Sequence, residues 1–299
     1  MKSTVETTGA CLYRFHTEGD PALPCTLLLP AAGLAPDRLF VSVHGISRND
    51  REHLRALAPF AISHGVALLV PRFARAMFRD YQRLGRRGHG PRADLALLQA
   101  ITEVEEMFGW KLPSFDLFGF SGGAQFAHRF ALAHPEKVRH LALGSAGWYS
   151  WPDEAIPYPR GVGSTSELPV ELDLPGLLHK PVSVFVGERD RQRDPSLNTR
   201  RVIDRLQGRT RLDRARNWVA AMRQAARERG LASRVELEIL PGVGHDFGQM
   251  VRPGGLPQRL FQALYAQGRS RQPAPQGHDP CEDGAAVVLP RTSVVGEVA

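Results

Sequence analysis

The chain is poor in cysteine, in lysine and in long apolar runs, and each shortage excludes a class of protein. Three cysteines in 299 residues, at Cys11, Cys25 and Cys281, are too few and too scattered for a disulfide framework or a thiolate metal site. No stretch approaches the roughly 20 apolar residues of a membrane span, and residues 1–14 lack the apolar run of a signal peptide. The sequence therefore predicts a soluble, reduced, cytoplasmic protein with no membrane partner.

Positive charge is in excess, but it is almost entirely arginine. Lys and Arg together number 38 against 31 Asp and Glu, which gives a formal net charge of +7. Lysine occurs only at Lys2, Lys111, Lys137 and Lys180. The arginines are spread over most of the chain and lack the interleaved aromatic residues of a nucleic-acid groove. The excess favours anionic surfaces without identifying a partner, and we expect no nucleic-acid binding.

Length and composition fit one large α/β domain. Hydrophobic residues make up 42% of the chain and charged residues 23%, as in ordinary globular proteins. Short apolar runs alternate with longer helical patterns, which predicts a mostly parallel, twisted sheet flanked by helices. Strands are predicted over residues 25–29, 39–43, 66–70, 115–118, 138–143, 182–186 and 235–240, the first of them an antiparallel edge strand. Helices are predicted between Asn49 and Gly65 and over residues 92–108, 122–134, 196–230 and 256–266.

Two segments differ from this alternation. Residues 189–234, before the last predicted strand, are rich in arginine and form a helical insertion. Their charge is typical of a solvated helical face, and a cap near the mouth of a site is the second interpretation. Residues 269–299 lose periodicity and gain Pro, Gly and Gln. We expect one domain over residues 1–268, followed by a disordered tail over residues 269–299.

One motif points to a nucleophile, because Gly119-Phe120-Ser121-Gly122-Gly123 matches G-x-S-x-G between a predicted strand and a predicted helix. This is the placement of a nucleophile elbow, a turn so sharp that its flanking residues nearly touch and carry no side chain. Ser121 would hold a strained backbone and project its hydroxyl above the sheet edge. The helix that starts at Gly122 would favour negative charge developing there. The alternative is an ordinary strand–helix turn with a solvated serine.

On this motif and the alternation around it, residues 39–266 resemble the α/β-hydrolase superfamily. Within it, the segments HGISRN and GFSGGAQFAHRF are most similar to the esterase and polyester-depolymerase-like branch. The resemblance implies a serine hydrolase that cleaves a carboxylic ester with a Ser-His-Asp triad. It implies no cofactor, and the sequence contains no metal-ligand spacing and no dinucleotide fingerprint.

The base and the acid follow from chain order, since in that fold the triad runs Ser, acid, His. Of the eleven histidines only His245 and His278 come late enough, and His278 lies in the predicted tail. His245 is therefore the expected base. Asp190 lies just past the strand over residues 182–186, at the position usual in the superfamily. Asp194 is the second candidate, and it could instead cap a following helix.

The remaining element of such a site is an oxyanion hole. His44-Gly45-Ile46-Ser47 follows the first buried strand, where superfamily members carry an H-G-x-x turn. By that resemblance, the backbone N–H groups of Ile46 and Gly122 would hold the oxyanion of a tetrahedral intermediate, and His44 would hydrogen-bond the loop. An ordinary β-turn is the alternative.

Trp148, Tyr149 and Trp151 are candidates for substrate binding. They follow the strand over residues 138–143, at the same sheet edge as Ser121. They either wall an apolar pocket for the acyl or alcohol part of the substrate, or cover the sheet as core. Three further candidates for side chains that face the site from neighbouring loops are Arg48, Tyr81 and Arg83, and solvated surface positions are the alternative favoured for them.

These observations predict a carboxylic ester hydrolase acting on a small-molecule or oligomeric ester. A serine peptidase, an amidase or a thioesterase would use the same triad. From a different class, a non-catalytic binding protein could retain the fold, although such proteins usually lose one of the three triad residues. The sequence leaves the oligomeric state open.

Overall fold

The apolar runs of the sequence form a single sheet. In a computed structural model, which describes residues 3–7, 9–35 and 37–265, this sheet has nine strands. Their bounds are β1 Ser3–Thr7, β2 Ala10–His16, β3 Pro24–Pro30, β4 Leu39–Val43, β5 Ala67–Pro71, β6 Phe115–Phe120, β7 Val138–Gly144, β8 Val182–Gly187 and β9 Val235–Leu240. The spatial order is β1-β2-β3-β5-β4-β6-β7-β8-β9, with antiparallel pairing as far as β5 and parallel pairing from β5 to β9.

The mostly parallel sheet expected from the sequence is confirmed. β4 and β9 have the predicted bounds, and β5, β6, β7 and β8 differ from theirs by one or two residues. β4, β5, β6 and β8 are buried at every position. Strands covered on both faces have near-continuous apolar sequences, which is why these runs were recognisable.

The expectation of an edge strand at residues 25–29 is wrong. β3 is antiparallel, but it pairs with β2 on one side and with β5 on the other. β1 and β2 form a hairpin outside it, with Thr7 opposite Ala10. The β2 strand mixes buried, half-buried and exposed positions, so its sequence shows no clear apolar run.

Helices cover both faces of the sheet. Their bounds are α1 Asp50–His64, α2 Ala93–Phe108, α3 Gly122–Ala133, α4 Leu174–Leu178, α5 Arg201–Gln207, α6 Arg211–Glu228, α7 Phe247–Val251 and α8 Leu256–Tyr265. Buried residues of α2, α3, α4 and α6 share one core, and those of α1, α7 and α8 share the core on the opposite face. In the part of the chain that the structure describes, no helix combines the length and hydrophobicity that a membrane span requires.

The arginine-rich insertion contains α5 and α6, and α6 covers the sheet rather than the mouth of a site. A capping box starts this helix, because Thr210 and Asp213 each accept from the other's backbone N–H. Trp218, Val219 and Met222 on its inner face are buried in the core against β8 and β9. Much of its charge lies on the outer, solvated face, as expected of a covering helix. The tail predicted over residues 269–299 lies outside the described residues.

Four histidines, three of them buried and His140 half-buried, are held neutral by the fold. Burial lowers the pKa of His44 and His140 to about 4, and it lowers the pKa of His53 and His128 well below the ordinary value. His53 Nδ1 lies 2.8 Å from Ser42 Oγ inside the sheet–α1 interface. A histidine in the unfolded chain has a pKa near 6.5, so folding makes each of these side chains harder to protonate.

Lowering the pH from 7.5 to 5.5 is therefore expected to lower the free energy of unfolding by several kcal/mol. The pKa values of these histidines are lower in the folded protein than in the unfolded chain. Their contribution to stability is therefore complete above pH 6.5, and it is lost as the pH falls towards 4 because the unfolded chain then binds more protons. Each buried histidine accounts for about 1 kcal/mol over the interval. Urea denaturation at both pH values measures the loss.

Two variants make the measurement specific to histidines whose pKa the fold lowers. His140→Gln should reduce the pH-dependent loss by about 1 kcal/mol, because it removes one of the titrating groups. His16→Gln, at an exposed position, should keep the wild-type loss. Equal stability of the wild-type protein at the two pH values would contradict the neutral state of these side chains.

Candidate active site

The carboxyl ends of β4 and β6 lie side by side where the strand order reverses. From β4 the chain crosses to β5 on one side and then returns to β6 on the other. β4 and β6 pair in parallel with Val43 opposite Gly119. The loop after β4 and the turn after β6 therefore emerge at the same edge of the sheet. In open α/β sheets, ligands bind in the crevice at such a reversal.

Ser121 occupies the tight turn between β6 and α3. Its backbone angles, φ 54° and ψ −109°, are rare for a residue with a side chain. Its N–H donates to the Gly144 carbonyl at 2.7 Å, which ties the turn to β7. A Cβ atom on Gly119 would overlap the carbonyl group of Gly123, and one on Gly123 would overlap the Val43 carbonyl. The turn therefore requires glycine on both sides of the serine.

His245 reaches Ser121 from the loop after β9. Its Nε2 lies 3.0 Å from Ser121 Oγ, and its Nδ1 lies 2.8 Å from Asp190 Oδ2. Because a carboxylate only accepts, the Nδ1–H donates to Asp190 and the Nε2 lone pair faces the hydroxyl. The imidazole stacks on Phe120 at 5.4 Å, and Phe120 contacts Phe247, two residues past His245. The imidazole is thus oriented by both a hydrogen bond and ring contacts.

Asp190 is the carboxylate that meets the imidazole. Its side chain is completely buried, and Arg211 Nη1 lies 3.6 Å from its Oδ1. Asp194 accepts instead from both terminal nitrogens of Arg211, at 2.6 and 3.1 Å. These hydrogen bonds hold the pKa of the Asp194 carboxyl below its usual range. Of the two acids left open by the sequence, Asp190 lies at the histidine and Asp194 holds the arginine behind it.

Two neighbouring backbone amides beside Ser121 are unpaired. Among the described residues, the N–H groups of Ile46 and Gly122 have no hydrogen-bond acceptor. Ile46 lies in the loop after β4, and Gly122 is the first residue of α3, where N–H groups are unsatisfied within the helix. Unpaired amides at a helix start are suited to binding a negatively charged oxygen.

His44 fixes the loop that carries Ile46. Its Nδ1–H donates to the Gly45 carbonyl at 2.8 Å, and its Nε2 accepts from Phe73 N–H at 3.0 Å. This ring therefore has no free lone pair, and burial keeps it neutral by lowering its pKa to about 4. The Tyr81 hydroxyl donates to the His44 carbonyl at 3.1 Å. The expected role of His44, hydrogen bonding within the loop, agrees with these contacts.

Solved structures show what the chain is similar to. LpqC, a poly(3-hydroxybutyrate) depolymerase from Bordetella parapertussis, matches with a TM-score of 0.70 and 24% identity over 89% of this chain and 92% of its own. Poly(aspartic acid) hydrolase-1 from Sphingomonas sp. KT-1 matches with a TM-score of 0.65 and 25% identity over 83% of this chain and 98% of its own. FphF, a fluorophosphonate-binding serine hydrolase from Staphylococcus aureus, matches with a TM-score of 0.57 and 14% identity over 85% of this chain and 98% of its own. No protein-family model and no curated protein matches the sequence.

The protein has the α/β-hydrolase fold. The predicted fold class is thereby confirmed, and the resemblance stated for residues 39–266 is confirmed as a resemblance of fold. In this α/β-hydrolase fold, Ser121, His245 and Asp190 form a hydrogen-bonded row at the carboxyl edge of the sheet. Such a row can activate a hydroxyl for attack on a carbonyl carbon. Among the described residues, no group of three or more His, Cys, Asp or Glu converges as a metal site would.

The aromatic residues after β7 lie mostly in the core. Tyr149 is completely buried and stacks on Trp218 of α6 at 4.6 Å. Trp148 is 7% exposed, and the guanidinium of Arg129 lies 4.4 Å from its ring. Trp151 is half-buried and lines a separate groove along α6. For Trp148 and Tyr149, core packing is therefore the arrangement found.

Gln82 is a residue of this site that sequence reasoning missed. A Cβ atom on Gly122 would lie 2.9 Å from Gln82 Nε2 and 2.7 Å from Tyr81 Oη. The buried Arg129 donates to the Gln82 carbonyl at 2.7 Å and so fixes the turn that carries both side chains. The neighbouring Arg83 pairs with Asp80 instead. Only the position of Gln82 beside Tyr81, in a loop without periodicity, could have indicated it.

The close packing of the turn makes a stability prediction. Gly119→Ala is expected to lower the free energy of unfolding by about 3 kcal/mol or more, because the new methyl group overlaps backbone and the turn must open. Gly19→Ala is the matched control, since no atom lies closer than 3.9 Å to a Cβ atom there. Urea denaturation compares the two, and equal stability would contradict the geometry of the turn.

Proposed function

We propose that the protein is a serine hydrolase that cleaves carboxylic esters through an acyl-enzyme intermediate. One observation carries the proposal: Ser121 Oγ, His245 and the buried Asp190 are joined by contacts of 3.0 and 2.8 Å, beside the unpaired amides of Ile46 and Gly122. Each part of a Ser-His-Asp site is thus represented by a side chain or an N–H group in a suitable place. The esterases and depolymerases among the similar structures support the same class of reaction.

In this mechanism, Ser121 attacks the acyl carbon while His245 Nε2 takes its proton. The carbonyl oxygen becomes an oxyanion, which the Ile46 and Gly122 amides stabilise. Collapse of the tetrahedral intermediate expels the alcohol, which receives the proton from His245. Water, activated by the same imidazole, then releases the carboxylic acid and restores Ser121. Asp190 orients the ring and offsets the imidazolium charge throughout, and no cofactor takes part.

Amide hydrolysis is the second candidate. One similar structure is named as a poly(aspartic acid) hydrolase, whose substrate is a polyamide, and another as a depolymerase of a polyester. The same residues would serve either bond. We favour esters because esterases recur among the similar structures. Faster turnover of aspartyl amides than of acyl esters would reverse this order.

The nucleophile is tested by labelling with a fluorophosphonate and by assaying 4-nitrophenyl esters. Ser121→Ala should abolish labelling and lower kcat at least about 10⁴-fold, because no hydroxyl remains to attack. Ser63→Ala, at an exposed position on α1, is the control and should behave as the wild type. Equal labelling of the wild type and Ser121→Ala would refute the proposal and leave a non-catalytic role.

The acid is tested by comparing two substitutions that each remove one negative charge. Asp190→Asn should lower kcat about 10³- to 10⁴-fold, because the imidazole loses the acceptor that fixes its tautomer. Asp194→Asn should lower it less than about tenfold, since the contact between Asp190 and His245 remains. The measurement is kcat for one ester at pH 8. A larger loss in Asp194→Asn would assign the acid to that residue.

A further inference from the structure

A strongly basic groove opens beside the loop that carries Ile46. Its volume is about 870 Å³, within the range of small-molecule sites. The residues that line it are Ile46, Arg48, Arg75, Ala76, Arg79 and Gln82. Half of them are arginines, and none is acidic. The groove therefore concentrates positive charge in a chain whose other arginines are widely spread.

The groove is continuous with the proposed reaction centre. Ile46 and Gln82 line it, and both also touch the start of α3: a Cβ atom on Gly122 would lie 2.8 Å from the Ile46 side chain and 2.9 Å from Gln82 Nε2. Gly122 directly follows Ser121. Two of the residues that line the groove therefore lie against the residue next to Ser121, so a substrate with its scissile carbonyl at Ser121 has this groove beside it.

Two of the three arginines have no partner for their charge. Arg75 and Arg79 are exposed, and within the described residues neither has a carboxylate within 4 Å or a side-chain hydrogen bond. The nearby carboxylates are engaged elsewhere. Asp80 pairs with Arg83 and Arg86, and Asp50 pairs with Arg72.

Arg48 supports the groove in a different way. Its Nε donates to the Phe73 carbonyl at 3.2 Å and its Nη1 to the Ile46 carbonyl at 2.5 Å, while the guanidinium lies 5.4 Å from the centre of the Tyr81 ring. Partial burial and the neighbouring charge of Arg75 lower the pKa of Arg48. Crowding of like charges in this way is relieved when an anion binds between them.

We propose that this groove binds a carboxylate group of the substrate, so that the preferred ester carries at least one carboxylate besides the bond that is cleaved. The inference rests on the proposed ester hydrolysis and names its substrate class. A guanidinium binds a carboxylate through two parallel hydrogen bonds, and Arg75 and Arg79 are free to do so. The apolar surface of Ile46 and Ala76 suits the carbon chain between the two groups.

The test compares each acidic ester with its own neutral methyl ester. One pair has the carboxylate on the acyl side, namely mono-4-nitrophenyl adipate, and the other has it on the alcohol side, namely 4-carboxyphenyl acetate. Release of the phenol gives kcat/KM for each compound. The wild type should prefer the acidic member of at least one pair about tenfold, and 500 mM salt should weaken that preference.

The double variant Arg75→Gln/Arg79→Gln should lower this ratio of acidic to neutral kcat/KM at least about fivefold, because the exposed pair supplies the unpaired charge. The matched control, Arg216→Gln/Arg227→Gln, removes two positive charges from the exposed face of α6 and should keep the wild-type ratio. Far-UV circular dichroism checks the fold of both.

The outcomes separate the two proposals. Hydrolysis that depends on Ser121 but shows no acidic preference, or the same ratio in both double variants, would overturn the groove assignment alone. Inhibition of the same hydrolysis by inorganic phosphate and by adipate is also compared. Stronger inhibition by phosphate would overturn the groove assignment as well, because the groove would then favour phosphate over a carboxylate. If no ester is hydrolysed in a Ser121-dependent way, the proposed function fails, and the substrate class fails with it.

Discussion

The close contact between the β6–α3 turn and the end of β4 is the constraint on which the site depends. With no side chain on Gly119 or Gly123, the turn packs directly against the Val43 carbonyl. In this turn Ser121 has a positive φ, and its hydroxyl lies at hydrogen-bond distance from His245 Nε2. The same contact brings the first amide of α3 next to the loop after β4. Ser121, the amides of Ile46 and Gly122 and the start of the groove thus lie together because of one backbone contact.

Burial lowers the pKa of several histidines near the sheet, whereas the imidazole beside Ser121 is partly exposed. His44, His53 and His128 are enclosed and held neutral by desolvation. His245 is instead part-exposed, and its ring lies between a carboxylate and a hydroxyl. Because Asp190 is completely buried, its charge is screened little by water and acts mainly on the imidazole and Arg211. The fold thereby distinguishes the enclosed histidines from the one that is proposed to act in catalysis.

Arginine also has two separate uses in this chain. Arg129 and Arg214 are buried and donate mainly to backbone carbonyls, which ties loops to helices. A guanidinium has five N–H donors in a fixed plane and can satisfy several acceptors at once, whereas an ammonium group has three on one atom. This difference gives a physical reason for the near absence of lysine. Arg75 and Arg79, which have no such partners among the described residues, place unpaired positive charge beside the proposed reaction centre.

The sequence by itself determined the fold class, most strands and helices, Ser121 and His245 as neighbours in space, and two candidates for the acid beside them. Local rules suffice for these features: continuous apolar runs mark strands buried on both faces, glycines mark sharp turns, and chain order restricts which histidine can return to the serine. The tertiary structure decided what depends on contacts between distant segments. It placed the β1–β2 hairpin outside β3, buried Tyr149 against Trp218, and brought Gln82 and three arginines to one groove. These arrangements arise from the packing of loops and helices. The contact partners come from distant parts of the chain, so no local sequence pattern predicts them.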